Sequence, residues 1–415
     1  MITINNNMYV LDTDNTSYAF AELGSGQLEH LYFGRKLHAN EAVMTEKHTF
    51  IPGNTNVYNK DYSSYSLEDV CLEMSSLGKG DIREPFIEVT YPNGSSTTDM
   101  VFDRAEIIQG KEEYDTLPGS YDDNGEDEQL VIYLKDRNFN LTLELLYYVY
   151  EKCDIITRSA KLVNSGNESV RLERLMSMQL DLNESDYELS FFNGAWAREM
   201  NRSRIPIRAG KYVNESVTGT SSNRANPFFM IGRSSTTEDY GECYGFNLIY
   251  SGNHYEAAQV NSYGKLRLVS GINPATFSYI IEAGKCFEAP EAVLTYSYNG
   301  YNRMRHNMHE FVRKHIVRGI WRDKERPVLI NSWEAAYFNI NERKLVKLAK
   351  AAKDTGVELF VMDDGWFGER NDDTSSLGDW TPNSRKLPNG IAGIADKIKA
   401  SGLKFGIWVA PEMVS

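Results

Sequence analysis

The sequence has 415 residues, 41% of them hydrophobic, and carries 44 Lys and Arg against 58 Asp and Glu, a formal net charge of −14. This length corresponds to roughly two or three domains with enough chain to bury a core. The negative charge argues against binding to nucleic acid or to an anionic membrane surface, because both depend on Lys and Arg, and no apolar run approaches the ~18 residues of a membrane helix.

The cysteines and histidines suggest neither a disulfide framework nor a metal site. Cys71, Cys153, Cys243 and Cys286 are widely separated and form no Cys-x-x-Cys pair. The three histidines between residues 306 and 315 lack a familiar ligand spacing. The first residues resemble no signal peptide. We therefore expect a cytoplasmic protein with no metal and no cofactor.

Residues 1–325 carry the pattern of β-strands. In Leu141–Tyr150, alternate positions are apolar, which is typical of a half-buried strand. Similar runs occur at residues 18–23, 27–33, 86–91, 129–134, 155–163, 169–182, 244–250 and 276–281. Turn signals such as Pro92-Asn93-Gly94 lie between them. We predict large stacked antiparallel sheets, with Trp196 in their core.

From residue 301 onwards the pattern changes, which predicts a multidomain α+β protein. Helical spacing near 301–318 is followed by a charged linker at 321–327. In the second domain, residues 326–415, strands at 328–330, 357–362 and 403–409 alternate with helices at 341–355 and Gly390–Ala400. This order predicts parallel strands, either in a (β/α)8 barrel or in a doubly wound sheet. Three strands cannot close a barrel of eight, so we expect a fragment of a longer enzyme.

Each predicted parallel strand ends with a tryptophan and at least one carboxylate. The ends are Asn331-Ser-Trp333-Glu334, Asp363-Asp364-Gly365-Trp366 and Trp408-Val-Ala-Pro411-Glu412. Ligand sites of parallel sheets lie at these ends. Aromatic faces stack on sugar rings and carboxylates accept hydrogen bonds from hydroxyls, so the pattern favours carbohydrate. The Asp pair alone also fits a turn or a metal pair, and Glu334 and Glu412 also fit exposed rim charges.

Several segments resemble the bacterial α-galactosidases of glycoside hydrolase family 36, of the melibiase and raffinose type. The segments are Asn331-Ser-Trp-Glu-Ala335, Leu359-Phe-Val-Met-Asp-Asp-Gly-Trp-Phe367, Ser376-Leu-Gly-Asp-Trp380, Lys386-Leu-Pro-Asn-Gly390, Pro411-Glu-Met-Val-Ser415, Gly80-Asp-Ile-Arg-Glu-Pro85 and Gly194-Ala-Trp-Ala-Arg-Glu199. The resemblance covers nearly the whole chain in order. It identifies the chain as an N-terminal portion of such an enzyme.

The resemblance implies an N-terminal β-supersandwich, followed by the first part, about three βα units, of a catalytic (β/α)8 TIM barrel. It also implies hydrolysis of terminal α-1,6-linked galactose in α-galactoside oligosaccharides such as melibiose and raffinose, with retention and without a metal. Trp333 and Trp408 would line the galactose pocket, and Asp363 and Asp364 would hold galactose hydroxyls. Candidates for supporting these residues are Glu334, Trp366 and Glu412.

The same resemblance places the two catalytic aspartates after residue 415. The nucleophile follows a Lys-Trp in the family, and no Lys-Trp-Asp occurs in these 415 residues. We therefore expect the chain to be inactive alone. A homo-oligomer, a tetramer or dimer, is expected of the full-length protein, and in some members a sandwich loop, here residues 44–54, reaches a neighbouring active site.

Three other functions stay open. An α-N-acetylgalactosaminidase on the same scaffold would admit a 2-acetamido group. A galactosyltransferase would differ only in the second step of the reaction, where a sugar and not water accepts the galactose. A non-catalytic carbohydrate-binding protein would grip sugar through the same tryptophans without chemistry.

Overall fold

The computed structural model describes residues 1–38, 55–63, 66–123, 125 and 127–415. The chain forms two compact units, Met1–Val317 and Arg318–Ser415. The sequence placed the boundary at 325/326, a few residues later. The loop at residues 44–54, predicted to reach a neighbouring subunit, lies outside the described residues.

The N-terminal unit is built almost entirely of strands. Those in the described part of the chain are β1 (Ile2–Asn5), β2 (Met8–Asp12), β3 (Thr16–Glu22), β4 (Leu28–Arg35), β5 (Ile87–Thr90), β6 (Met100–Gln109), β7 (Glu128–Asp136), β8 (Leu141–Tyr150), β9 (Ile155–Asn164), β10 (Val170–Leu182), β11 (Glu188–Asn193), β12 (Asn201–Pro206), β13 (Gly210–Glu215), β14 (Ala225–Gly232), β15 (Cys243–Ile249), β16 (His254–Val260), β17 (Leu266–Ile272), β18 (Tyr279–Ile281), β19 (Cys286–Glu288) and β20 (Glu291–Ser297).

These strands form three antiparallel sheets. The first has the order β1-β2-β3-β4, and the second has the order β13-β16-β17-β10-β18, with β5 also on β10. The largest has the order β12-β11-β14-β15-β20-β9-β8-β7-β6, with β19 also on β9. The predicted large antiparallel sandwich is therefore confirmed.

One hydrophobic core joins the three sheets. Phe20 of β3, Tyr147 of β8 and Leu268 of β17 belong to the same buried cluster, and the rings of Phe20 and Tyr147 stack at 5.2 Å. Along β8, buried residues alternate with half-buried ones over the first six residues, as the sequence pattern predicts, and the last four residues are all buried. The core thus arises from inward-facing positions of each sheet.

Trp196 is not part of that core. Its side chain is 90% exposed, so the prediction that it is buried was wrong. Residues 194–200 form the hairpin loop between β11 and β12, where Ala195 and Arg198 exchange two backbone hydrogen bonds. A side chain in such a loop has few neighbours to pack against, because connecting loops run over the surface.

Two buried networks of charged groups cross the sandwich. In the first, Glu73 accepts hydrogen bonds from Tyr18 Oη (2.6 Å) and Tyr147 Oη (2.7 Å), lies 2.7 Å from His30 Nδ1, and pairs with Arg158 at 3.2 Å. All five side chains are buried. Buried charges persist only where they are paired and hydrogen-bonded, which is the arrangement seen here.

The second network consists of two arginines and two aspartates. Arg267 Nε and Nη2 donate to the two oxygens of Asp181 at 2.8 and 2.7 Å, and Nη2 also contacts Asp81 at 2.8 Å. Arg83 donates to both oxygens of Asp81 at 2.9 Å and lies 3.1 Å from Asp181. The four charges sum to zero, so the cluster is neutral as a whole.

These networks predict that the N-terminal unit loses stability in acid. Burial alone would raise the pKa of Asp81, but the charges of Arg267 and Arg83 more than offset it, and the pKa lies below its usual value. At Glu73, burial likewise raises the pKa, whereas Arg158 and His30 lower it. The net result is again a pKa below the usual value. A lowered carboxyl pKa contributes stability above the unfolded-state value, about 4, and this stability is lost as the pH falls through the folded-state value.

The expected result is a thermal unfolding midpoint that falls steeply below about pH 4. Circular dichroism at a series of pH values would measure it. In Asp81→Asn the midpoint is lower at neutral pH but depends less on pH below 4. An equal acid slope in the wild type and this variant would contradict the assignment.

The N-terminal unit ends in helix α1 (Gly300–Phe311), which continues as a π-helical turn, Val312–Ile316. Met304, Met308 and Phe311 of α1 are buried in a second cluster with Tyr150. This is the helix predicted near 301–318. No helix in the described part of the chain is long and apolar enough to cross a membrane.

The C-terminal unit alternates strands and helices. Its elements are β21 (Leu329–Asn331), α2 (Trp333–Ala336), α3 (Glu342–Lys353), β22 (Leu359–Met362), α4 (Gly390–Ala400) and β23 (Lys404–Ile407). The strands are parallel in the order β21-β22-β23. Leu345 of α3 and Ile394 of α4 pack with Phe360 of β22 in one core. The predicted parallel βα units are confirmed.

Candidate functional site

The carboxyl ends of the three parallel strands meet at one edge of the sheet. Asp363 N donates to Ser332 Oγ at 3.0 Å, which joins the end of β22 to the residue after β21. Trp408 N donates to Met362 O at 2.9 Å, which joins β23 to β22. The residues that follow each strand are therefore held side by side, as expected for a ligand site on parallel strands.

Asp363 and Asp364 form a tight turn directly after β22. Their exposed fractions are 8% and 6%. Asp363 Oδ1 accepts from Asp364 N at 2.8 Å, and Asp364 Oδ1 accepts from Gly365 N at 2.6 Å. Gly365 has φ +94°, and a Cβ there would lie 3.0 Å from Phe338 Cα. Only glycine fits this position, so the sequence Asp-Asp-Gly fixes the turn.

The Asp363 carboxylate is buried at the end of β22. No ion pair to this carboxylate is found among the described residues. Burial together with the charge of Asp364 raises the pKa of Asp363, although the hydrogen bond from the Asp364 N–H partly offsets this rise. A buried carboxylate of this kind needs hydrogen-bond donors. Hydroxyl groups of a ligand are suitable donors at this place.

Asp364, in contrast, is paired with Arg370. Arg370 Nε lies 3.1 and 3.2 Å from the two carboxylate oxygens, and Nη2 lies 2.9 Å from Oδ2. Arg370 is only 5% exposed, and its Nη1 donates to Ser375 O at 2.9 Å. The sequence analysis missed this residue. The sequence offers one indication of its role: Arg370 is the only basic residue between Asp363 and Ser384.

Lys386 joins three backbone segments near the same turn. Its Nζ donates to Phe338 O at 3.0 Å, Gly365 O at 2.8 Å and Arg370 O at 2.7 Å. Burial lowers the pKa of Lys386, opposed by the charges of Asp364 and Glu369. Lys386 appeared in the sequence analysis only within a motif, without a role.

An aromatic cluster supports Trp408. Trp366 is 2% exposed and its Nε1 donates to Trp408 O at 2.9 Å. The ring of Trp380 lies 6.2 Å from that of Trp366 and 6.4 Å from that of Trp408. Trp366 thus holds the backbone of Trp408 in place, and its supporting role in a sugar site stays a prediction.

Replacing Trp366 with phenylalanine is expected to lower the stability of the C-terminal unit by about 1–3 kcal/mol, because the Trp408 carbonyl loses its donor. Five of the six tryptophans lie in this unit, so tryptophan fluorescence during urea unfolding reports on it selectively. Trp196→Phe is the control and should leave the midpoint unchanged. Equal midpoints for the two variants would show that the hydrogen bond does not matter.

The remaining predicted residues lie at the outer part of this edge. Trp333 begins the single-turn helix α2, half-buried, with its ring edge-on to those of Tyr337 (5.2 Å) and Phe338 (5.1 Å). Glu334 is exposed and accepts from Tyr337 Oη at 3.1 Å. Glu412 is exposed, and the structure records no polar side-chain contact for it within the described residues. The supporting roles of Glu334 and Glu412 stay predictions.

Within the residues described, no group of three or more His, Cys, Asp or Glu side chains could hold a metal ion. The chemistry of the site therefore consists of two carboxylates of different environment, one arginine, one lysine and several indole faces. Such a set can bind a neutral ligand rich in hydroxyl groups and with apolar C–H faces.

Two family models match the chain. The model for the glycosyl hydrolase family 36 N-terminal domain matches residues 26–282, and the model named Melibiase matches residues 286–415. The alpha-galactosidase AgaA of Geobacillus stearothermophilus is 41% identical over 411 residues, which is 98% of this chain and 56% of AgaA. The first model covers more than half of the chain.

Solved structures agree with these matches. The family 36 alpha-galactosidase AgaB from Geobacillus stearothermophilus has a TM-score of 0.95 and 39% identity, covering 100% of this chain and 57% of AgaB. A variant of AgaA in complex with raffinose has a TM-score of 0.94 and 39% identity, covering 98% of this chain and 57% of AgaA. The chain spans a little over half the length of these relatives.

Proposed function

Because the chain belongs to glycosyl hydrolase family 36, as its motifs predicted, we propose that the protein is an α-galactosidase that removes terminal α-1,6-linked galactose from oligosaccharides such as melibiose and raffinose. The alpha-galactosidase relatives and the raffinose-bound structure support this substrate class. The part of the activity assigned to these 415 residues is recognition of galactose.

The observation that carries the proposal is the Asp363–Asp364 turn at the joined strand ends. Two buried carboxylates present acceptors at an edge that also carries Trp333 and Trp408. Carboxylates accept hydrogen bonds from sugar hydroxyls, and they distinguish galactose from a sugar whose hydroxyl points elsewhere, because an unmet buried carboxylate is costly. The indole faces cover the C–H face of the ring.

The chemical step needs two further carboxylates. A retaining glycosidase places them about 5–5.5 Å apart, one to attack the anomeric carbon and one to protonate the leaving oxygen. No Lys-Trp-Asp, the motif that carries the nucleophile in the family, occurs in the chain. In this proposal the two aspartates lie after residue 415, on the strands and helices that complete a (β/α)8 barrel. The 415-residue chain alone therefore binds galactose but does not hydrolyse α-galactosides.

The proposal is tested by comparing the 415-residue chain with the protein expressed from its complete open reading frame. The complete protein should release p-nitrophenol from p-nitrophenyl α-galactoside and galactose from raffinose. NMR should show that the galactose is released first as its α-anomer. The chain alone should release neither. Hydrolysis of the α-N-acetylgalactosaminide instead would assign the protein to that activity, and galactose binding without any hydrolysis would leave a binding protein.

We also propose a cytoplasmic location, supported by the four cysteines, which are all free in the structure. Three of them are buried, and only Cys286 is exposed. A tetramer or dimer stays a prediction for the complete protein. Gel filtration with light scattering measures that state directly.

A further inference from the structure

We propose that Arg370 and Lys386 are positioning residues for galactose recognition: together they fix the orientation of the Asp364 carboxylate toward the sugar. This inference rests on the proposed function, since it concerns the galactose site. Neither residue needs to touch the ligand in this arrangement. Both act through the turn that follows β22.

Arg370 fixes the Asp364 carboxylate from one side. Nε and Nη2 face the two oxygens of Asp364 in a fork, at 2.9 to 3.2 Å. The guanidinium is itself held at Nη1 by Ser375 O, and its carbon lies 5.2 Å from the ring centroid of Phe338. A planar fork constrains both position and plane of a carboxylate, which a lysine cannot do.

Lys386 fixes three backbone carbonyls around that carboxylate. An ammonium group has three donors, and all three are used on the carbonyls of Gly365, Arg370 and Phe338. Gly365 follows Asp364 directly, and Arg370 itself carries the guanidinium fork. No ion pair of Lys386 with a carboxylate is found among the described residues. Its charge therefore serves the backbone carbonyls, which it holds at fixed spacing.

The consequence concerns the acceptors that remain for a sugar. An ionised carboxylate has about four acceptor sites. Three donors face Asp364: Gly365 N at Oδ1, Arg370 Nη2 at Oδ2, and Arg370 Nε shared between the two oxygens. Roughly one acceptor site remains. Arg370 thus limits Asp364 to a single, directed hydrogen bond, whereas Asp363 retains most of its acceptors.

The experiment uses the protein expressed from its complete open reading frame. The variants are Arg370→Ala, Arg370→Lys and Lys386→Met. Arg385→Ala is the matched control, because Arg385 is an exposed arginine next to Lys386. The measured quantities are KM and kcat for the p-nitrophenyl α-galactoside, the inhibition constant of galactose, and the thermal unfolding midpoint. Each measurement of Arg370→Ala is repeated with millimolar guanidinium chloride.

We expect Arg370→Ala to weaken galactose binding on the order of 10²-fold, the cost of a misplaced binding group, with a smaller change in kcat. Arg370→Lys should be intermediate, and guanidinium should restore part of the affinity that Arg370→Ala loses. A merely structural role would not produce rescue at constant unfolding midpoint. Lys386→Met should weaken binding about tenfold, less than Arg370→Ala, because Lys386 acts on the backbone and not on the carboxylate itself.

A galactose affinity of Arg370→Ala within twofold of that of Arg385→Ala would overturn the inference. If Arg370→Ala does not fold, Arg370→Lys decides, since unchanged affinity without the fork contradicts the role. Unchanged galactose affinity in Lys386→Met would show that Lys386 is not a positioning residue. A wild-type protein that neither hydrolyses an α-galactoside nor binds galactose overturns the proposed function and this inference together. An active wild type with unaffected variants overturns the inference alone.

Discussion

Replacing Arg267 with alanine is expected to lower the free energy of unfolding by about 3–5 kcal/mol, the cost of breaking a buried ion pair from one side. Arg267 has no exposed surface and contacts Asp181 and Asp81 at 2.7 to 2.8 Å. Among the described residues, its removal leaves Arg83 as the single cation paired with these two buried carboxylates. The lost packing of a long side chain adds to the deficit.

Hydrogen exchange measured by mass spectrometry locates the effect. Peptides covering β10 and β17 should lose protection, because Asp181 and Arg267 are paired across these two strands. Circular dichroism during urea unfolding gives the free energy. Arg171→Ala is the control, since Arg171 lies on β10 with its side chain 52% exposed, and exposed changes cost within about ±0.5 kcal/mol. Similar losses in both variants would refute the role of the buried network.

The sequence predicted where strands lie better than how they pair. Period-2 alternation marks β8 because one face of that strand is buried. It carries no information on partners: β10 pairs with β17, almost ninety residues later, and with β5, some eighty residues earlier. Such pairings are decided by packing over the whole chain, which local patterns do not contain.

Buried charges were the largest omission in the sandwich. Arg158 and Arg267 sit on strands β9 and β17 among apolar residues, where each could equally be a surface charge. Their burial depends on Glu73 and Asp181, which are distant in sequence. Complementary charges from separate segments leave no local signature, so only the folded arrangement reveals them.

The site was predictable to the extent that it follows strand ends. Asp363, Asp364 and Trp408 come directly after strands β22 and β23, and parallel strands bring such positions together. Arg370 and Lys386 reach the same turn from a loop without regular structure, so no periodicity marks them. Trp196 failed for the opposite reason: its hydrophobicity suggested burial, but a hairpin loop offers none.

The two aspartates of the site should respond differently to the same change. Asp363→Asn is expected to raise KM and the inhibition constant of galactose about 10- to 100-fold, because a hydrogen bond to a charged group contributes about 1.5–3 kcal/mol. Stability should not fall. Burial raises the pKa of Asp363, so at neutral pH its ionised form already opposes folding, and the neutral amide removes that cost.

Asp364→Asn should weaken binding and also destabilise the C-terminal unit, because Arg370 loses its only described carboxylate partner while remaining buried. Asp373→Asn, an exposed carboxylate in the same loop, is the control for both. Kinetics with the complete protein and urea unfolding followed by tryptophan fluorescence supply the two readouts. If Asp363→Asn proves as destabilising as Asp364→Asn, the carboxylates share one environment, and the division between an aspartate free for ligand and an aspartate anchored by arginine does not hold.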